Sequence, residues 1–475
     1  MQKTVVINVV GLTQSLIGKH TPFLAEWSAQ KAKGAAIRPV FPAVTCTAQA
    51  TYLTGKTPQE HGIVGNGWYF HEECEIKFWR QSNKLVQAEK VWETAKKLDP
   101  SFTCANMCWW YNMYSSADYY LTPRPQYLAD GRKLPDCYTH PASLRDTLQQ
   151  KLGTFPLFHY WGPKTSIKSS KWIADASKIT DDLYDPTLTL IYLPHLDYNL
   201  QRMGSSDTRI ATDLQEIDAV CADLITYYEA RGANIIVLSE YGISAVNQPV
   251  HLNRVLRQHG FIALREERGL ELLDAGASEA FAVADHQVAH IYVKDRSRVE
   301  EVKRIIGQVP GVEEVLAGNE RNKYSLGHDR CGELVAVARK NAWFTYYYWL
   351  DDKKAPDFAR TVEIHKKPGY DPVEMFADPK IKFLLPLVAT KLLKKKLGFR
   401  TLMDIIPLDA TLVKGSHGRI PDTKDEWPVF ITNKSELAPS ADIPATEVYQ
   451  LILHHLGAKQ QQHTFDMPQI NPVLN

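Results

Sequence analysis

A hydroxyl-rich segment near the N-terminus has the residue types of an anion-binding site with a nucleophile. It runs from Phe41 to Gly55 and reads FPAVTCTAQATYLTG. Pro42 keeps the preceding chain extended, and the small residues after it allow a tight turn into a short helix that ends near Gly55. A hydroxyl at the start of that helix would meet free backbone N–H groups and the positive end of the helix dipole. That position suits an anion and a nucleophile that attacks it, although a threonine there is usually only an N-cap.

The elements that must position this segment follow an α/β pattern. Buried strands are predicted at 4–10, 187–193 and 234–239, where β-branched and apolar residues run together. Thr21-Pro22 opens one helix, and apolar residues at helical spacing predict another over 207–229. Strands that alternate with helices of this length favour right-handed crossovers and a mostly parallel sheet.

Two regions interrupt this pattern and suggest the domain organisation. Residues 100–175 are rich in aromatics, Pro and Ser, which favours a lid-like insertion on the substrate side. Residues 288–340 have the pattern of a small α+β subdomain. We therefore expect one α/β domain over 1–435 that includes both regions, followed by a C-terminal helix and tail over 436–475.

The composition bounds the class of protein. The chain has 475 residues, with 55 Lys+Arg against 54 Asp+Glu and a formal charge of +1. This balance argues against a broad positively charged surface of the kind that binds nucleic acid. No nucleic-acid polymer is therefore expected as a partner. The chain has 44% hydrophobic and 23% charged residues, which is ordinary for a globular protein and excludes disordered and fibrous classes. Seven scattered cysteines and no visible targeting segment favour a cytoplasmic chain with free thiols.

A basic and apolar segment at 380–397 is predicted to be a helix, with Pro386 as a kink. Its apolar residues recur at helical spacing, and lysines gather near its C-terminal end, where cations suit the helix dipole. Core packing is the favoured interpretation. The alternative is weak contact with an anionic membrane or a partner.

The hydroxyl-rich segment and the motif that follows it resemble a known family. His61-Gly62-Ile63 and Asn66 follow Gly55 at the spacing seen in the nucleophile region of the type I phosphodiesterase/nucleotide pyrophosphatase family, within the alkaline phosphatase superfamily. The resemblance extends from residue 4 to about 420 in the correct motif order. It implies an alkaline-phosphatase-like fold with a central, mostly parallel sheet flanked by helices. It places Thr45 on the nucleophile and Asn66 on the residue that hydrogen-bonds a phosphoryl oxygen.

The same resemblance implies metal ligands, and here the sequence departs from the family pattern. The family holds two zinc-type ions through carboxylates and imidazoles. Asp197 and His417 match two of those ligands. Gln201 stands where a His is expected, and Glu240-Tyr241 replaces an Asp-His pair. Glu240 is a conservative substitute for the Asp and is a candidate metal ligand beside Asp197, Gln201 and His417.

The first strand also departs from the family, because Val10 occupies the place of an Asp ligand. Asn8 lies on the same side of that strand, two residues early.

Three interpretations of the metal site stay open. One divalent metal, zinc by preference, could be held by Asp197, His417 and Gln201. The site could instead be rebuilt with other residues, for which Asp285-His286 and His365 with Asp371 are candidates. In the third interpretation the metals are lost and the anion pocket is kept.

The function implied by the resemblance is hydrolysis of a phosphorylated small molecule. The bond cleaved would be a phosphodiester, a pyrophosphate or a phosphomonoester, through a covalent phosphoryl intermediate on Thr45 with metal assistance. Two alternatives remain on the same fold. One is a protein that binds a phosphorylated ligand without turnover, and the other is a phosphoryl transferase.

Overall fold

The computed structural model describes residues 1–458. It confirms the α/β class, with a central sheet of nine strands flanked by helices. Five adjacent strands in the middle of the sheet are parallel, and antiparallel pairs occur only toward its two edges. The strand order across the sheet is Ile443–Pro444, Lys33–Arg38, Val429–Thr432, Asn234–Leu238, Thr4–Val9, Leu188–Leu193, Cys104–Met107, Tyr119–Pro123 and Cys137–His140.

The central strand Thr4–Val9 is completely buried, as its unbroken apolar run predicts for a strand covered on both faces. It pairs in parallel with Leu188–Leu193 on one side and with Asn234–Leu238 on the other. The carboxyl ends of these three strands therefore meet at one edge of the sheet. In open α/β sheets, ligands bind at that edge.

The helices cover both sides of the sheet at positions close to those predicted. The helix opened by Thr21-Pro22 runs over Pro22–Gln30, and the one predicted over 207–229 runs over Ile210–Glu229. The remaining helices are Thr45–Thr54, Pro58–His61, Val91–Leu98, Ala142–Leu152, Leu157–Tyr160, Lys168–Tyr184, His195–Met203, Leu252–Gln258, Val299–Gly307, Leu384–Lys396 and Val448–His455.

The prediction of a lid-like insertion over 100–175 is wrong for much of that range. Cys104–Met107, Tyr119–Pro123 and Cys137–His140 are strands of the central sheet itself. Helix Ala142–Leu152 then packs beside the last of these strands. The strands are short and their aromatic residues favour β structure, so the composition that suggested an insertion belongs to one edge of the sheet.

A second sheet of four antiparallel strands lies in the later part of the chain. Its strand order is Ala280–Asp285, Val288–Val293, Leu334–Ala338 and Val312–Ala317, and helix Val299–Gly307 packs against it. Five two-stranded ribbons complete the described strands: Gly67–Phe70 with Glu75–Phe78, Gln126–Tyr127 with Lys133–Leu134, Ser244–Ala245 with Gly415–Ser416, Gln248–Val250 with Ala342–Phe344, and Ala263–Glu267 with Leu270–Asp274.

The basic helix forms at Leu384–Lys396, but none of its side chains is buried. The favoured core packing is therefore wrong. The helix begins at Leu384, which puts Pro386 in the first turn, where proline is tolerated, rather than at a mid-helix kink. No helix among residues 1–458 is both long and apolar enough to cross a bilayer. In the predicted C-terminal tail, 459–475 lies outside the described residues.

Candidate active site

Thr45 is the first residue of helix Thr45–Thr54, at the edge where the central strands end. Val44 before it is extended, and Gly55 closes the helix with a φ of +66°. Every residue of the helix is buried. The Thr45 Oγ1 atom lies 3.0 Å from the Tyr241 hydroxyl oxygen, so the nucleophile candidate is hydrogen-bonded at a helix N-terminus.

Asp197 is held by hydrogen bonds to both of its carboxylate oxygens. The Tyr241 hydroxyl donates to Oδ1 at 3.2 Å, and the Gln201 amide donates to Oδ2 at 2.8 Å. Asp197 and Gln201 are four residues apart on helix His195–Met203, which places them on one face. The Gln201 side-chain carbonyl oxygen accepts from the Tyr370 hydroxyl at 3.0 Å. Burial raises the pKa of Asp197 to about 7.

Glu240 follows strand Asn234–Leu238 and accepts two hydrogen bonds on one oxygen. The side-chain amides of Asn8 and Gln49 each donate to Glu240 Oε1 at 2.6 Å. Glu240 Oε2 and Asn8 Oδ1 are buried, and neither has a hydrogen-bond partner among the described residues. Burial raises the pKa of Glu240 to about 8.

Asn66 is anchored by Asp285, a residue at the end of the second sheet. The Asn66 backbone N–H donates to Asp285 Oδ2 at 2.7 Å, and its side-chain amide donates to Oδ1 at 3.0 Å. The Asn66 side-chain carbonyl oxygen accepts from the Cys46 backbone N–H at 3.0 Å. Burial raises the pKa of Asp285 to about 7. The second sheet therefore contributes a carboxylate to the site.

Four rings contact one another in series through the middle of the site. Tyr241 lies on His417 with ring centroids 3.6 Å apart, His417 lies 3.6 Å from His286, and His286 lies 3.7 Å from Tyr370. The His417 Nδ1 atom lies 2.8 Å from the Ala43 carbonyl oxygen and can only donate to it. Burial lowers the pKa of His417 to about 3, so its Nε2 atom carries a lone pair, 3.8 Å from Asp197 Oδ1.

A family model supports what the geometry suggests. The model of the type I phosphodiesterase/nucleotide pyrophosphatase family matches residues 4–371. The chain belongs to this family. The predicted resemblance is therefore confirmed, and with it membership of the alkaline phosphatase superfamily. Family membership supports phosphoester hydrolase activity, and the family typically depends on divalent metals.

Individual relatives are distant. Ectonucleotide pyrophosphatase/phosphodiesterase 2 of Saccharomyces cerevisiae is 24% identical over 264 residues, which cover 51% of this chain and 48% of that protein. The chain thus spans about half the length of that relative.

Two solved structures share the fold. Murine ectonucleotide pyrophosphatase/phosphodiesterase 5, as an inactive variant in complex with AMP, has a TM-score of 0.58 at 16% identity and covers 96% of this chain and 95% of its own. Phosphonoacetate hydrolase from Sinorhizobium meliloti, in complex with phosphonoacetate, has a TM-score of 0.61 at 13% identity and covers 96% of each chain.

The structure brings together nine of the residues singled out in the sequence and leaves others apart. The nine are Asn8, Thr45, Asn66, Asp197, Gln201, Glu240, Tyr241, Asp285 and His417, and His286 joins them through ring stacking. His365 is exposed on a loop, with Nδ1 3.3 Å from the Phe78 carbonyl oxygen. Asp371 is an ion-pair partner of Lys367.

Sequence reasoning missed two members of the network, Gln49 and Tyr370. Gln49 lies four residues after Thr45 on the same helix, so helical spacing could have found it. Tyr370 comes from a loop far along the chain, and no local signal marks it.

These residues do not fit a two-zinc centre. Such a centre needs carboxylate and imidazole ligands at both ions. Gln201 and Tyr241 stand where imidazoles are expected, and both donate hydrogen bonds to Asp197 instead. Among residues 1–458, the one group of three His, Cys, Asp or Glu side chains close enough to share a metal is His195, Asp213 and Glu216. That group includes no member of the Thr45 network.

Proposed function

We propose that this chain hydrolyses a phosphate ester or pyrophosphate of a small molecule, with Thr45 as the nucleophile. The supporting observation is the hydrogen-bonded series from Thr45 through Tyr241 to Asp197, at 3.0 and 3.2 Å. It begins at the N-terminus of a buried helix, a position that stabilises a phosphoryl group.

The proposed reaction has two steps. The Thr45 oxygen forms a bond to phosphorus and the leaving-group oxygen departs. The Thr45 proton passes to the Tyr241 oxygen while Tyr241 gives its own proton to Asp197 Oδ1. The Asn66 side-chain amide has two hydrogens and donates one of them to Asp285 Oδ1. The second hydrogen would donate to a phosphoryl oxygen. Water then attacks the phosphorus and the bond to Thr45 breaks; one proton of the water passes to the Thr45 oxygen. Asp197 releases the proton that it took in the first step to the leaving-group oxygen or to solvent.

Residues suitable for one divalent ion remain, and we propose zinc at Asp197 and His417. His417 Nε2 lies close to the Asp197 carboxylate, 3.8 Å from its Oδ1 atom. Asp197 Oδ2 and His417 Nε2 would hold the ion, which leaves Oδ1 to accept the proton from Tyr241. The Gln201 side-chain carbonyl oxygen is the third candidate. When bound, such an ion would polarise a phosphoryl oxygen and acidify a water molecule.

Substitution of Thr45 tests the nucleophile. With bis(p-nitrophenyl) phosphate as the substrate, Thr45→Ala should lower kcat by at least about 1,000-fold, and Thr45→Ser should retain part of the activity. Thr47→Ala is the matched control, because Thr47 is buried in the same helix and its hydroxyl has no hydrogen-bond partner among the described residues. Intact-protein mass spectrometry after rapid acid quench should show a phosphoryl adduct in the Thr45 enzyme. Equal activity of Thr45→Ala and the wild type would exclude this role.

Metal content, measured by inductively coupled plasma mass spectrometry, tests the metal proposal. About one equivalent is expected in the purified protein, lost in Asp197→Asn and in His417→Ala. Because His195, Asp213 and Glu216 could also hold a cation, Glu216→Gln must be measured beside them. Metal that disappears only in Glu216→Gln would contradict a site at Asp197.

Binding without turnover is the second candidate function. Its supporting observation is that both Asp197 oxygens already accept hydrogen bonds from protein donors. AMP is the first probe, because a structural neighbour was solved in complex with it. Calorimetric binding of AMP with no release of phosphate or adenosine would favour this function. Alkyl phosphate formed when an alcohol is added would instead indicate a phosphoryl transferase.

We also propose a reducing compartment, the cytoplasm, as the location. All seven cysteines are free, and six of them are buried. Free thiols are the usual state in the cytosol. Cell fractionation with a compartment marker tests this proposal.

A further inference from the structure

The surface segment 380–402 concentrates exposed apolar side chains. Fifteen large hydrophobic residues are exposed among the described residues, and seven of them lie in this short stretch. They are Phe383 (75% exposed), Leu385 (80%), Leu392 (52%), Leu393 (56%), Leu397 (66%), Phe399 (64%) and Leu402 (48%). Contiguous apolar surface of this kind marks an interaction site.

The helix in this segment turns an apolar face toward solvent. Leu385, Leu392 and Leu393 are seven and eight residues apart, so they share one side of helix Leu384–Lys396. The half-buried positions lie along another side of the helix and are Leu384, Leu387, Val388, Lys391 and Lys395. Apolar side chains therefore lie on both sides of this helix, and the set formed by Leu385, Leu392 and Leu393 faces solvent.

The same segment is strongly cationic. No Asp or Glu occurs between Asp378 and Asp404, while seven basic residues do: Lys380, Lys382, Lys391, Lys394, Lys395, Lys396 and Arg400. Lys391 is paired with Asp404. Lys394, Lys395 and Lys396 form no ion pair within residues 1–458 and occupy the last turn of the helix. Positive charge beside an apolar face is complementary to an anionic lipid surface.

The segment is clamped to the body of the protein at both ends. The Asp378 backbone N–H donates to the Ile405 carbonyl oxygen at 2.7 Å, and the Ile406 N–H donates to the Arg360 carbonyl oxygen at 3.0 Å. Arg400 donates to the Ala129 carbonyl oxygen at 2.8 Å. The segment therefore projects from the domain while both of its ends stay attached, so it can contact a surface without unfolding the domain.

We propose that segment 380–402 docks the protein on the surface of an anionic phospholipid bilayer. Leu385, Leu392 and Leu393 would enter the boundary between headgroups and acyl chains, and the lysines would contact lipid phosphates. A helix of 13 residues is about 20 Å long, which is shorter than the ~30 Å hydrocarbon core, so it lies in the interface rather than across it.

Vesicle flotation tests the docking. The wild-type protein should float with vesicles of phosphatidylcholine and phosphatidylglycerol, and at least about tenfold less with phosphatidylcholine alone. The triple variant Lys394→Gln/Lys395→Gln/Lys396→Gln should weaken binding to anionic vesicles by about 100-fold, since each lysine near such a surface contributes several-fold. The triple variant Leu385→Ser/Leu392→Ser/Leu393→Ser should abolish flotation.

Matched controls separate docking from general surface effects. Leu98→Ser and Leu183→Ser remove leucines that are 48% and 45% exposed on other helices, and both variants should float like the wild type. All variants should keep the wild-type melting temperature and the wild-type activity on bis(p-nitrophenyl) phosphate, which is water-soluble. Because the readout is flotation, failure of the hydrolase proposal would leave this one intact.

Two results would overturn the inference. The first is wild-type flotation no better than that of the triple leucine variant on anionic vesicles. The second is a dimer in light scattering that the triple leucine variant converts to a monomer, with no vesicle binding by either. That outcome would assign the face to a second copy of the chain.

Discussion

At the residue scale, a single tyrosine hydroxyl connects the polar groups of the site. Tyr241 contacts both the Thr45 hydroxyl and the Asp197 carboxylate. Its ring lies flat on His417, with an interplanar angle of 8°. The hydroxyl and the ring of Tyr241 thus have separate contacts, so its polar contribution can be removed without disturbing the stack.

The first prediction concerns that hydroxyl. Tyr241→Phe should keep the ring stack and the fold but break the link from Thr45 to Asp197. We expect kcat for bis(p-nitrophenyl) phosphate to fall by about 100-fold or more, because proton transfer by a positioned group contributes roughly 10²–10⁴. Tyr347→Phe is the control, since Tyr347 is equally buried and its hydroxyl lacks a hydrogen-bond partner among the described residues. Equal rates for the two variants would remove Tyr241 from the mechanism.

The second prediction concerns His61, which is fully buried beside helix Thr45–Thr54. Its ring nitrogens lie 3.0 Å from Thr51 Oγ1 and 3.0 Å from the Ile63 backbone nitrogen. Burial lowers the pKa of His61 to about 3 in the folded protein, against about 6.5 in an unfolded chain. A lowered histidine pKa contributes stability that is present above pH 6.5 and is lost progressively as the pH falls from 6.5 toward 3.

The measurement is urea unfolding at pH 7 and pH 5. From this histidine alone we expect the free energy of unfolding to fall by about 2 kcal/mol between the two. His61→Asn should be less stable than the wild type at pH 7 but should lose about 2 kcal/mol less on acidification. His259→Asn, at an exposed histidine, is the control for the substitution itself. A wild-type pH dependence in His61→Asn would contradict the assignment.

At the element scale, helix Thr45–Thr54 is fixed by the residue that ends it, Gly55, as well as by its buried sides. Gly55 ends the helix in the left-handed region at φ +66°, and a Cβ atom there would lie 3.0 Å from the Tyr449 Cβ atom. Tyr449 belongs to helix Val448–His455. The turn at Gly55 therefore also sets how closely helix Val448–His455 approaches helix Thr45–Thr54.

The third prediction is that Gly55→Ala costs about 2–4 kcal/mol of the free energy of unfolding. The left-handed backbone accounts for about 1–2 kcal/mol and the contact with Tyr449 for the rest. Gly260→Ala separates the two causes, because Gly260 has a φ of +78° and a Cβ atom added there would meet no heavy atom within 4 Å. It should lose only the backbone contribution. Equal losses in urea unfolding would mean that Tyr449 yields freely.

At the scale of the whole molecule, a buried ion cluster connects the loop that carries Tyr370 with Trp161, which comes from an earlier part of the chain. Lys367 is 1% exposed, and its Nζ atom lies 2.7 Å from Asp371 Oδ2 and 2.8 Å from Glu374 Oε1. The Trp161 indole N–H donates to Glu374 Oε2 at 2.5 Å. Two carboxylates balance the charge of Lys367, so its ion pairs hold the loop that carries Tyr370.

The fourth prediction follows from that pairing. Lys367→Met should destabilise the protein by about 3–5 kcal/mol, because two buried carboxylates lose their cation. Lys366→Met, at the exposed neighbouring position, should change stability by less than about 0.5 kcal/mol. Adding Asp371→Asn to Lys367→Met should recover part of the loss. Thermal and urea unfolding measure these differences, and a Lys367→Met variant as stable as Lys366→Met would contradict the prediction.

The amino-acid sequence alone is enough to predict the elements whose signals are local. Unbroken apolar runs predict the three central strands. Thr21-Pro22 predicts the helix that forms at Pro22–Gln30, and helical spacing over 207–229 predicts the helix that forms at Ile210–Glu229. The motif around Thr45 and Asn66 is sufficient to predict the family. These features depend on residues close together in the chain, so their physical causes can be read without the fold.

Features that depend on distant partners emerge only from the packed molecule. Asp285 reaches Asn66 from the second sheet, and Tyr370 reaches Gln201 from a late loop. The aromatic-rich region 100–175 contains strands of the central sheet because its segments pair with neighbouring strands. The basic helix leaves Leu385, Leu392 and Leu393 exposed because no element of the described fold covers them. Periodicity shows which side of a helix is apolar, but only tertiary packing shows what lies against that side.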